Sequence, residues 1–212
     1  TEGLLESPSE LYGVEVRPVA DGFEVHLEVA ARCEWRLKER RRTLAGRTGC
    51  GLCGTDSLAQ VRRELPRAPA VQLRPQALSR AQGELQRRQP TQQLTGASHA
   101  AAWCDLDGVA RLVREDVGRH NALDKLVGAM VRERIDPTQG FVCITSRASF
   151  EMVQKAALAG AGALAAVSAP TALAVDTAHA CGLALAGFVR GDDFVAYTFP
   201  DRLGLAPALP PG

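Results

Sequence analysis

Beyond Pro90 the chain alternates short apolar runs with segments of helical period, whereas its first half lacks that rhythm. Residues Val14 to Val29 alternate loosely between apolar and polar positions, the period of a strand pair, and the Asp21-Gly22 turn divides them. Cys33 to Thr48 are polar and basic and read as an exposed connector. A helix is expected after Gly54, where Ser57 and Gln60 have capping-box spacing. Pro66, Pro69 and Pro75 punctuate the next stretch, and Ala77 to Arg88 reads as a helix stopped by Pro90. Gln92 to Ala102 reads as a loop. A hairpin is expected from Ala101 to Leu106 and Val109 to Arg114, turning at Asp107-Gly108.

From there the predicted elements alternate: a helix over Asn121 to Arg134, a strand over Phe141 to Thr145, a helix over Ser149 to Ala159 and a strand over Ala163 to Ser168. A helix over Ala172 to Ala180 ends at Gly182, and strands come next over Leu183 to Val189 and Phe194 to Phe199. Apolar strands alternating with helices argue for an α/β layer with a largely parallel sheet. The division is expected near Pro90, with residues 1–90 a smaller cysteine-bearing part and 91–212 the α/β domain.

Composition narrows the class. At 212 residues, 46% hydrophobic and 23% charged, the chain is globular and long enough to bury a core. The alanine-rich stretch Ala156 to Ala169 is too short and too broken by glycine to span a membrane. No secretion signal is read, so a cytoplasmic protein is expected; the start at Thr1 sets the expectation of a missing N-terminal piece. A net charge of +1 gives no bulk field for nucleic acid. Arg36, Lys38, Arg40, Arg41, Arg42 and Arg47 nevertheless crowd one segment. Such a run is either a solvated face or an anion-attracting approach to the cysteines just beyond it.

Those cysteines lie in Gly49-Cys50-Gly51-Leu52-Cys53-Gly54, two thiols framed by glycines that let the backbone turn freely, which reads as a mobile loop. Cys104, Cys143 and Cys181 lie in apolar contexts and read as small buried hydrophobes. Three chemistries fit the Cys50/Cys53 pair. Zinc wants four ligands, so a partner such as His99, His120 or His179 would be required. A redox pair wants a helix start, whose positive end, with Arg47 upstream, favours a thiolate. A sulfur carrier wants a reactive thiolate, a second thiol and a loop with reach.

In open α/β sheets ligands bind in the loops beyond the carboxyl ends of the strands. Here those loops contain Arg119, His120 and Asn121; Ser146 and Arg147; Ser168; and Arg190 with Asp192 and Asp193. Hydroxyls, helix N-termini and arginines gathered there suit a phosphate or nucleotide. Separately, each has a plainer role: Asn121, Ser149 and Ser168 as helix caps, Asp116 as a partner for Arg119, His120 as a structural histidine, Asp124 and Lys125 as surface charges.

Several blocks resemble the formate dehydrogenase accessory sulfurtransferase (FdhD) family: Arg47 to Gly54, Thr95 to Ala101, Arg114 to Lys125, Thr145 to Lys155 and Val167 to Ala174. The resemblance implies a persulfide carrier that takes sulfur from a cysteine desulfurase. It passes that sulfur to the molybdenum (or tungsten) bis(guanine dinucleotide) cofactor destined for formate dehydrogenase. It also implies a cytidine deaminase-like mixed sheet flanked by helices, a homodimer, and no permanent metal. By position it makes Cys50 the persulfide cysteine, Cys53 the second thiol, and Phe188, Val189, Arg190, Gly191, Asp192 and Asp193 a cofactor-binding segment. Asp192 and Asp193 depart from the neutral or basic stretch expected against an anion, leaving Arg190 the stronger contact there.

Overall fold

The computed structural model describes residues 4–44 and 65–205, with the backbone alone for 39–44. The chain divides into two compact units, Thr1–Glu64 and Leu65–Gly212. The expected division near Pro90 falls inside the second unit, because the segment before Pro90 packs onto the sheet that comes after it.

In the first unit, β1 (Leu11–Val19) and β2 (Gly22–Val29) form an antiparallel hairpin that turns where Asp21-Gly22 predicts. Helix α1 (Ala31–Leu44) comes next, correcting the expected connector from Cys33 to Thr48. Its residues are strong helix formers without an apolar stripe, so propensity and one anchor make it a helix where periodicity shows nothing. The anchor is Glu10, which is buried. Its carboxylate accepts from Arg36 Nη1 at 3.0 Å and from the Glu6 backbone N–H at 2.7 Å, and Arg32 also pairs with it. These bonds, Arg36 first, hold its carboxyl well below the usual carboxylate range.

The second unit is a three-layer sandwich. Its elements are α2 (Pro75–Arg87), α3 (Pro90–Thr95), β3 (His99–Asp105), β4 (Ala110–Asp116), α4 (Arg119–Arg132), β5 (Gly140–Ile144), α5 (Phe150–Leu158), β6 (Ala163–Ala166), α6 (Ala172–Cys181), β7 (Ala184–Arg190) and β8 (Asp193–Thr198). The sheet order is β4-β3-β5-β6-β7-β8. Only β5-β6 and β6-β7 pair in parallel, so the sheet is mixed rather than largely parallel. The hairpins β3-β4 and β7-β8 add antiparallel strands at both sides, and β3 runs antiparallel to β5. Pro90 ends α2 as expected and also opens α3, since a proline at the first helical position gives up a donor that would be unpaired anyway. Gly108, at φ +81°, makes the predicted β3-β4 turn; a side chain there would run into the Ala77 carbonyl.

Alternation along the strands sorts the core onto two faces. Trp103, Val142, Ile144, Leu164 and Leu185 meet α4, α5 and α6 through Leu123, Leu126, Met152, Val153 and Ala178. Ala102, Cys104, Phe141, Cys143 and Ala165 meet α2 through Leu78, Ala81 and Leu85. Both faces of the central strands are covered, so β5 and β6 are wholly apolar, whereas the edge strands β4 and β8 hold polar and charged residues. No helix among the described residues is long and apolar enough to cross a membrane.

Candidate functional site

The register brings the predicted loops to one edge. His99 pairs with Asp116, Ala101 with Ile144, Ile144 with Ala166, and Ala165 with Ala186. The ends of β4, β5, β6 and β7 therefore point the same way, together with the start of β3. Hydrogen bonds then knit the loops to one another. Thr145 N–H donates to the Ala100 carbonyl at 3.1 Å, and Ala100 N–H to Thr145 Oγ1 at 2.9 Å. Ala148 bridges Pro170, Thr171 N–H donates to the Ala148 carbonyl at 3.0 Å, and Phe188 N–H to the Ser168 carbonyl at 3.4 Å. A rigid sheet thus presents a continuous rim of loops.

Arg119, His120 and Asn121 form the first turn of α4, whose N-cap is Gly118. Asn121 is no cap; its amide donates to Asp116 Oδ1 at 3.2 Å. Asp116 pairs with Lys125 at 2.6 Å rather than with Arg119, and Lys125 first, then the Gly118 N–H, hold its carboxyl below the ordinary value. Lys125 and Asp124 are not idle surface charges: Lys125 also donates to the Glu115 carbonyl at 3.1 Å, and Asp124 pairs with Lys155 of α5. Glu115 loses some solvent but accepts from the N–H groups of Thr91 and Gln92 and from Ser98 Oγ, which lower its pKa. That carboxylate ties the Thr95-to-Ala101 block to β4.

On the next loop Ser146 is buried, its hydroxyl donating to the Arg147 carbonyl at 3.0 Å, while Arg147 is exposed. Ser149 stands at the N-cap of α5, yet its hydroxyl donates to Glu151 Oε2 at 3.0 Å instead of capping. Ser168 is half-buried and is not a cap; Thr171 caps α6, accepting from the Ala174 N–H at 3.2 Å.

In the segment assigned by resemblance, Val189 is packed in the core and can offer only its backbone. Phe188 is 39% exposed at the rim with φ +53°, a left-handed conformation that costs a non-glycine residue about 1–3 kcal/mol. Arg190, Gly191, Asp192 and Asp193 are exposed in the β7-β8 turn. The structure therefore gathers Arg119, His120, Arg147, Ser168 and Phe188 on one rim, with the exposed turn at its β7 end. Glu151 and Lys155 belong to the same cluster and were not among the predicted site residues. Their i,i+4 spacing reads as an exposed surface pair, whereas each turns to α4.

Cys50, Cys53, Arg47 and the helix expected after Gly54 lie outside the described residues. The other four cysteines are buried free thiols. Burial pushes all four up, Cys143 to about 12, and at Cys33 the Glu10 carboxylate adds to it. Such thiols are poor nucleophiles.

This rim-bearing sandwich is the fold of a solved structure described as a formate dehydrogenase accessory protein, from Desulfotalea psychrophila. The two align with a TM-score of 0.71 at 20% identity over 95% of this chain and 74% of that one. The chain itself belongs to the FdhD/NarQ family, whose model matches residues 1–204. Relatives named sulfur carrier protein FdhD include that of Variovorax paradoxus, 56% identical over 98% of this chain and 75% of the relative. Another, from Cupriavidus necator, is 53% identical over 96% of this chain and 71% of the relative.

Proposed function

We propose that this chain is a sulfur carrier whose nucleophile is Cys50. The observation behind the reading is that a chain about half identical to proteins named sulfur carriers holds two glycine-framed thiols besides its four buried ones. The Cys50 thiolate attacks the outer sulfur of a cysteine desulfurase persulfide. The donor cysteine leaves as a thiolate and Cys50 becomes a persulfide. The Cys53 thiolate then attacks Cys50 Sγ, forming a Cys50–Cys53 disulfide and releasing hydrosulfide to the acceptor. An external dithiol returns the pair to its reduced state.

The acceptor in this reading is the metal of a molybdenum bis(guanine dinucleotide) cofactor, bound as cargo and handed to formate dehydrogenase in the cytoplasm by a homodimer. Arg119, Arg147 and Arg190 at the strand-end rim suit its phosphates, each sheltered charge-assisted bond contributing about 1.5–3 kcal/mol. Phe188, presented by strained backbone, suits stacking on a guanine. Incubation with a desulfurase and cysteine, followed by intact mass spectrometry, should show one added sulfur on the wild type and none on Cys50→Ala. Stoichiometric zinc released by mutating either cysteine, with no sulfur loading, would replace this reading.

A further inference from the structure

The first turns of α4 and α5 meet in a charged cluster that the sulfur chemistry does not use. His120 Nε2 stands 3.6 Å from Glu151 Oε2, too far for a hydrogen bond. That oxygen is held by Ser149 Oγ at 3.0 Å. His120 Nε2 is buried without a hydrogen-bond partner, as is the adjacent Arg119 Nε. A buried nitrogen left without a partner is unfavourable, so a bond that closes this gap is favoured.

The charged groups around the imidazole are Arg119 and Asp124 from α4, and Glu151 and Lys155 from α5. Two cations and two anions cancel, so the net charge of the cluster is set by His120. Burial pushes the imidazole below its ordinary value, with Glu151 opposing and Arg119 and Lys155 adding to the depression. In the unliganded protein near neutral pH the imidazole is therefore mainly neutral, the cluster carries no net charge, and the His120–Glu151 contact is unmade while Lys155 and Asp124 already join the helices.

We propose that His120 is a positioning residue whose protonation accompanies binding of an anionic pyrophosphate ligand at this rim. Protonation puts an N–H on both ring nitrogens and a positive charge on the imidazole, so a charged donor faces Glu151 across the 3.6 Å gap and draws the starts of α4 and α5 together. It also leaves one net positive charge in the cluster, beside Arg119 at the start of α4. By linkage, a ligand that favours the protonated form takes up a proton as it binds, and its affinity rises as pH falls. The inference rests on the reading that the nucleotide cofactor binds at this rim.

The probe is diguanosine 5′,5′-pyrophosphate, a phosphodiester whose own charge does not change across the range used. Calorimetry on the full chain at about pH 5.5 and pH 8 should show several-fold tighter binding at the lower pH, approaching about tenfold, the limit for a one-unit change in the His120 pKa. Binding heats near neutral pH should vary with the ionisation enthalpy of the buffer, which reports proton uptake. The His120 imidazole C–H resonance should titrate at higher pH with the probe than without it. His120→Gln should flatten the pH profile, Glu151→Gln should move the step to lower pH, and His99→Gln, at the same sheet edge, should leave the step in place. Wild-type binding that is flat with pH, or a step that survives in His120→Gln or vanishes in His99→Gln, overturns the proposal alone. Absence of binding at every pH overturns the rim as the cofactor site and this inference with it.

Discussion

The two units solve the problem of a hydrophobic sheet face in opposite ways. In the second unit every central strand is covered on both faces, and Phe141, Leu164 and Leu185 are fully buried. In the first unit the hairpin keeps its polar residues on one face, with Glu15 paired to Arg17 and Glu24 to His26. On the other face Tyr12, Val14, Val16, Phe23, Val25 and Leu27 are exposed, Phe23 by 75%. A lone two-stranded hairpin is marginal in water. What orders the first unit is the buried carboxylate of Glu10 gripping α1 through Arg32 and Arg36. One unit is held by packing and positions loops rigidly; among the described residues of the other, a few charged bonds join the helix to the segment before the hairpin.

That contrast predicts a ladder of effects. Leu164→Ala should cost the second unit about 2–5 kcal/mol in urea unfolding, through a cavity between sheet and helices. Next is Glu10, whose pKa is depressed in the folded chain. Its contribution should be fully present above the ordinary carboxylate value of 4.5 and fade as pH falls through the folded value. The amide protection factors of residues 11–36 should therefore fall in acid before those of β5 and β6, and Glu10→Gln should show the lower protection already at neutral pH. Thr145→Val should cost about 1–3 kcal/mol by leaving the Ala100 N–H without its 2.9 Å acceptor, loosening the rim without unfolding the sheet. Val16→Ala, on the exposed hairpin face, should stay within about 0.5 kcal/mol; a loss as large as that of Leu164→Ala would erase the contrast.

The same contrast explains what could be read from the chain. The second unit was legible because buried strands and amphipathic helices write their periods into the sequence, and the strand-end rule then located the loops of Arg119, Arg147, Ser168 and Arg190. Three features escaped. Helix α1 lacks an apolar stripe because its anchor is a carboxylate contributed by Glu10, outside the helix. Glu151 and Lys155 look like a solvent-facing pair because sequence spacing cannot show that a second helix lies beside them. The direction of β3 was also hidden, since a hairpin inserted beside β5 changes the pairing without changing the pattern within either strand.

In the proposed function the chemistry resides in the glycine-framed pair and not in the buried thiols. This assignment is tested most directly by loading the full chain with a cysteine desulfurase and cysteine, then mapping the added sulfur by peptide mass spectrometry after alkylation. One sulfane sulfur is expected on Cys50, absent in Cys50→Ala and unchanged in Cys143→Ala. Sulfur retained by Cys50→Ala, or found on Cys33, Cys104, Cys143 or Cys181, would contradict it.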